Sequence, residues 1–139
     1  MRNLLWILLA ALLFGGNAVY DMRTTTQAIG EVHIGSSATA AEQQRFLQFA
    51  EHLAQGQEDA IRLVQHSAEG DPVYLDLHFT NGELGVKVDT TADSFGSGRV
   101  FKVSCSPELI KTDFGSYYEY RIGFCLYLDR SPRIYTLPK

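Results

Sequence analysis

The sequence predicts an α+β fold in which one N-terminal amphipathic helix packs on a mainly antiparallel meander sheet of five to six strands. Three observations carry that expectation. From Ile61 to Val88 apolar residues fall at every second position, in three runs separated by two turn signals. Thr39-Ala40-Ala41-Glu42 opens a stretch whose apolar residues recur at helical spacing instead. Strand-like runs then continue to the end of the chain, and 139 residues suffice for one domain with its own core but not for two and a linker.

Taken in order, the chain begins with Arg2 and an apolar run from Leu4 to Phe14, followed by small residues in Gly16-Asn17-Ala18. This is the pattern of a cleaved secretory signal peptide. The run is shorter than the roughly 20 apolar residues of a spanning helix, which makes a retained anchor the weaker alternative. Leu13-Phe14-Gly15-Gly16 has the shape of a lipoprotein cleavage box without its cysteine, so no lipid can be attached there. The expectation is a signal peptide over 1–18, a flexible leader over 19–30 and a single α+β domain over 31–139. The mature protein is then exported, extracytoplasmic and without stable membrane insertion.

Val32 and Ile34 alternate with Glu31 and His33 as a short edge strand. The helix begins at the Thr39 capping box, buries Phe46, Phe49, Ala50 and Leu53, and ends before Gly56, where a left-handed cap belongs. A first strand runs from about Ala60 to His66, with Ile61 and Leu63 on one face and Arg62 and Val64 on the other. Glu69-Gly70-Asp71-Pro72 turns the chain. A second strand sets Val73, Leu75, Leu77 and Phe79 inward and Tyr74, Asp76 and His78 outward. Asn81-Gly82 is a strong signal for a type I′ hairpin turn, which needs φ > 0 at both central residues. The third strand turns Leu84, Val86 and Val88 inward.

Asp89 to Gly98 reads as a long loop rich in hydroxyls, carboxylates and glycine. Phe101, Val103 and Cys105 form a fourth strand, and Ser106-Pro107-Glu108 caps a short helical turn that carries Leu109 and Ile110. From Tyr117 to Leu128 comes the longest strand candidate. Its core face is Tyr118, Tyr120, Ile122, Phe124, Leu126 and Leu128; Tyr117, Glu119, Arg121, Gly123, Cys125 and Tyr127 lie opposite. Ser131-Pro132 turns the chain, and Ile134 to Leu137 adds an edge strand.

An exported chain with an even number of cysteines tends to oxidise them, so Cys105 and Cys125 are expected to form a disulfide. The alternation puts Cys125 opposite the core face and Cys105 in phase with Phe101 and Val103. A bridge between them therefore requires a bulge or a strand end. The C-x-x-C spacing of a redox pair is absent.

The net charge of −4 and the lack of any lysine- or arginine-rich stripe argue against nucleic acid as a partner. Asp89 and Asp93, with Thr90, Thr91 and Ser94, gather hard oxygens on one loop as calcium would need, but without D-x-D-x-D-G order. Neither a metal nor a cofactor is expected. Gly96-Ser97-Gly98 lacks the flanking residues of a nucleophile elbow and the lysine of a phosphate loop. His33, His52, His66 and His78 lie in different elements, none four residues from another. Tyr74, Tyr117, Tyr127 and Tyr135, with Glu119 and Arg121 between, suggest an aromatic, polar-rimmed outer sheet face. Cross-strand pairs that merely stabilise a sheet use the same residue types.

Ile61-Arg62-Leu63-Val64, Glu69-Gly70-Asp71-Pro72-Val73, Asp76, Asn81-Gly82, Asp93 to Gly98, Cys105 and Cys125 together resemble a bacterial group. It is the exported, mostly lipoprotein family named domain of unknown function four-three-six-two, and the likeness covers about Val32 to Cys125. The resemblance implies an exported α+β domain with paired cysteines and no assigned activity. Gly16 stands where many members have the lipobox cysteine, so the implied tether does not carry over.

The expected function is a non-catalytic cell-envelope or secreted module that binds a partner protein or an envelope component. Its candidate binding residues are Tyr74, Tyr127, Arg121, Asp89 and Asp93. A rival reading is a small extracytoplasmic hydrolase in which Asp71, Asp76 and His78 converge in a concave pocket. A third is a purely structural or stress-related envelope protein. Composition does not set the oligomeric state.

Overall fold

The computed structural model describes residues 30–128 and 131–139. The expected signal peptide and leader, Gly30 excepted, lie outside the described residues. Among those described, no helix is long and apolar enough to cross a membrane.

The fold is α+β, and the described residues form one helix and eight strands in the order β1 (Glu31–His33), α1 (Ala40–Ala54), β2 (Asp59–His66), β3 (Pro72–Thr80), β4 (Glu83–Asp89), β5 (Val100–Cys105), β6 (Leu109–Asp113), β7 (Tyr117–Ile122) and β8 (Arg133–Pro138). The strands form two sheets instead of the single meander expected. Five stand in the order β1-β2-β3-β4-β5 and three in the order β6-β7-β8. The helix is the second described element, and the crossover it makes allows β1 to lie parallel to β2. All other neighbours are antiparallel.

Local signals act where they stand in the chain. Thr39 Oγ1 accepts the Glu42 amide, and Glu42 reaches back to the Thr39 amide at 2.7 Å, closing the capping box. At the other end the amides of Gly56 and Gln57 donate to the Leu53 and His52 carbonyls, the two bonds of a Schellman cap. Asn81 and Gly82 both have positive φ, 51° and 78°, as a type I′ turn demands. That turn pairs Thr80 with Glu83 and thereby fixes the face of every residue along β3 and β4.

One core serves both sheets. Phe46, Phe49 and Leu53 of α1 cluster with Ile61, Leu63, Leu75, Leu77, Leu84 and Val86 of the larger sheet and with Tyr120, Ile122, Ile134 and Tyr135 of the smaller. Phe46 is the joint. Its ring stacks on Tyr135 at 4.0 Å and meets Tyr120 edge-on at 4.9 Å.

Four local expectations are corrected. Ser106 to Ile110 contains no helical turn; Leu109 and Ile110 begin β6, whose pairing with Ile122 and Arg121 outweighs the capping signal. The strand expected over Tyr117 to Leu128 stops at Ile122. Gly123 is buried so closely that a Cβ would fall 2.5 Å from Ser106 Oγ, and beyond it the chain crosses to the larger sheet. The alternation loses phase there, leaving Phe124 and Leu126 exposed instead of in the core. Tyr135 is buried, not on an outer face, because the smaller sheet folds against α1, where its ring stacks on Phe46; Glu119, on the opposite face of β7, is buried beside Arg121 and Arg133 instead of exposed.

The same crossing resolves the cysteine phase. Past Gly123 the chain runs antiparallel to β5, with the Ser106 amide bonded to the Phe124 carbonyl and the Leu126 amide to the Ser104 carbonyl. Cys105 and Cys125 thus form a non-hydrogen-bonded pair, where backbones approach closest. Their Cα atoms lie 4.0 Å apart and a disulfide joins them, so a strand end supplies the shift the bridge required.

Candidate functional site

The face of the larger sheet turned away from α1 carries its polar residues. Register across four strands aligns Arg62, Asp76, Lys87 and Lys102 in one row, with Glu31 beyond Arg62. The adjacent row reads Val64, Tyr74, Asp89, Val100. These rows follow from strand alternation once the two hairpin turns set the register.

Asp76 is the electrostatic centre. Arg62 grips its carboxylate with Nε at 2.6 Å and Nη2 at 3.0 Å, and Lys87 Nζ stands 3.4 Å away on the other side. Arg62, then Lys87, hold the Asp76 carboxyl below its ordinary range against the opposing effect of burial. Asp76 in turn raises Arg62 further. The Arg62 guanidinium also lies 5.2 Å from the centre of the Tyr74 ring, within cation–π range. Asp89, paired across from Tyr74, accepts the Thr91 amide at 3.0 Å and its hydroxyl at 2.6 Å, and these bonds lower its pKa. The result is an aromatic ring among charges already held in place.

The loop from Asp89 to Gly98 borders this face. Asp71, in the β2–β3 turn, accepts the Ser94 amide at 2.8 Å and so ties one turn to the other; that bond lowers its pKa. Asp93 accepts the Phe95 amide at 3.1 Å. The Phe95 ring is left 79% exposed at the tip.

The candidate binding residues do not form one surface. Tyr74 and Asp89 are neighbours and Asp93 lies in the adjoining loop, but Arg121 belongs to the smaller sheet. There it donates to Glu119 at 2.7 Å and to the Ser131 carbonyl at 3.0 Å. Tyr127 sits past the disulfide with φ 64°, almost wholly exposed. The residues of the hydrolase reading also part company: Asp71 bonds Ser94, Asp76 bonds Arg62 and Lys87, and the exposed His78 makes no hydrogen bond to either. Oδ1 of Asp89 and of Asp93 each accepts an amide of its own loop, and Oδ2 of Asp89 stands 3.8 Å from Lys87 Nζ. Among the described residues no group of three or more His, Cys, Asp or Glu is placed to hold a metal.

Two features escaped the sequence reading. The charged row was latent in the alternation, yet Arg62, Lys87 and Lys102 were not singled out because each lies on a different strand. The second is long-range: the parallel pairing of β1 with β2 stacks the rings of His33 and His66, 6.1 Å apart and 9° from parallel. His66 lines an open cleft of about 440 Å³ between the sheets, with Ile34, Gln65, Arg133 and Thr136. No local signal places residues 33 and 66 together.

A family model described as "Domain of unknown function (DUF4362)" matches residues 32–119, more than half of the chain. The match takes in β1 to β5 with α1 and ends within β7, short of Cys125. Neither the curated proteins nor the solved structures give a match.

Proposed function

The chain belongs to the family described as a domain of unknown function (DUF4362), and since that name assigns no activity, we propose from its geometry that it is an exported, non-catalytic module. It binds a protein partner through the outward face of the larger sheet, around Tyr74, with the Asp89 to Gly98 loop at the rim. The observation that carries this reading is the Tyr74–Arg62–Asp76–Lys87 group, which stands on a face that α1 does not cover. Tyrosine and arginine are the residue types that concentrate binding energy, and side chains already held by ion pairs lose less entropy on contact. Two features support export, the N-terminal apolar run and the Cys105–Cys125 disulfide, since disulfides persist outside reducing compartments.

Tyr74→Ala and Tyr127→Ala, made separately, test the reading by affinity capture from envelope extracts. Tyr74→Ala is expected to lose a partner that the parent chain and Tyr127→Ala both recover. Unchanged recovery of every partner by Tyr74→Ala removes the sheet face from consideration.

A further inference from the structure

We propose that the open edge of β5, from Val100 to Ser104, takes up an extended peptide segment of alternating acidic and apolar residues as an added strand. The inference rests on the reading that this module binds a protein partner, and it names the chemistry and the mode.

The backbone states which groups are available. Cys105 and Cys125 are a non-hydrogen-bonded pair, so on β5 the N–H and C=O of Cys105, Val103 and Phe101 point to β4. Those of Val100, Lys102 and Ser104 point the other way. The Leu126 amide takes the Ser104 carbonyl. Among the described residues nothing takes the Ser104 N–H or either backbone group of Val100 and Lys102. The segment 124–126 has thus started a sixth strand along this edge, and the disulfide holds it there. The edge it leaves uncovered is flanked by exposed apolar side chains, Val100 at 48% and Phe101 at 44%. A row of unpaired donors and acceptors beside such side chains is a template for strand addition.

Charge selects the occupant. In the row Arg62–Asp76–Lys87–Lys102 signs alternate until the last step, where two lysines face each other. Asp76 at 3.4 Å and Asp89 at 3.8 Å meet the charge of Lys87. Among the described residues no carboxylate stands within ion-pair distance of Lys102. A carboxylate on an added strand beside Lys102 completes the row, because opposite charges on neighbouring strands attract. The residues before and after it then point to the other face, beside Phe101 and Val103. A second copy of this chain is a poor occupant, since antiparallel pairing of the two edges about Lys102 sets the two lysines together.

The test uses the full oxidised chain, ¹⁵N-labelled, with two short blocked peptides, one alternating glutamate with valine and one alternating lysine with valine. The glutamate peptide is expected to slow exchange at the Val100, Lys102 and Ser104 amides, by roughly tenfold at about ten times its Kd. The lysine peptide is expected to leave them unchanged, and Lys102→Glu to reverse the preference. Lys102→Pro removes an outward N–H while sparing the bonds to β4, and is expected to abolish binding with the Val88 and Phe101 amides still protected. If that variant fails to fold, Lys102→Glu decides alone. Unprotected edge amides, equal binding of both peptides, or concentration-dependent protection of the chain by itself overturn the proposal. Edge protection with no effect of Tyr74→Ala on capture supports the added strand and sinks the sheet-face reading; the converse result sinks only the added strand.

Discussion

At Glu42 a single carboxylate serves two masters, the helix cap and β1. His33 Nδ1 stands 2.6 Å from it, and together with the amide and hydroxyl of Thr39 this ring holds the carboxyl at about 2 instead of 4.5. A carboxyl with a depressed folded-state pKa contributes stability that is present above its unfolded value and lost as pH falls toward the folded one. Thermal melts are therefore expected to show His33→Ala less stable than the parent above about pH 4.5, with the gap closing toward pH 2. A gap that is independent of pH would show that the ring matters by packing alone. Asp71 acts in the same local way on Ser94. Asp71→Ala is expected to speed exchange of the Ser94 amide several-fold, leaving the β3–β4 ladder amides as they were; unaltered exchange at Ser94 refutes the tie between the two turns.

Among the elements, α1 and the segment after Gly123 answer to different physics. The helix needs its cap and its apolar stripe. Thr39→Ala is expected to cost about 1 kcal/mol in denaturant melts. Phe46→Ala, which removes the ring between Tyr120 and Tyr135, is expected to cost about 3–5 kcal/mol; a cost near that of an ordinary surface change would mean that the helix does not join the two sheets. The crossing segment instead depends on its covalent tie. Replacing Cys105 and Cys125 by serine opens a loop with a sequence separation of 20 and is expected to cost roughly 3 kcal/mol in the chain-entropy model. It should also release the Leu126 amide from the Ser104 carbonyl, seen as faster exchange at Leu126. Gly123 was the visible clue to this break, since a glycine within a strand pattern often marks a close approach. The alternation on either side of it hid the clue, because a twelve-residue run of period two reads as one strand.

In the molecule as a whole, two sheets and a helix share one core, which predicts cooperative loss of both sheets. Far-ultraviolet and tyrosine near-ultraviolet signals are expected to melt together, and separate transitions would divide the core in two. The chain by itself determined whatever neighbours in sequence decide. The Thr39 cap, the Asn81-Gly82 turn, the inward set Leu75, Leu77, Leu84 and Val86, and hence the outward position of Tyr74 and Asp76, all follow from local backbone preference and from burying one face of each strand. Only the tertiary structure decided that β6, β7 and β8 leave the meander for a sheet of their own. It alone set His33 beside His66, buried Tyr135 and Glu119, and parted Arg121 and Tyr127 from Tyr74. Those outcomes depend on contacts between residues far apart in the chain. Side-chain alternation records that a strand has two faces, but it carries no mark of which distant surface will cover each.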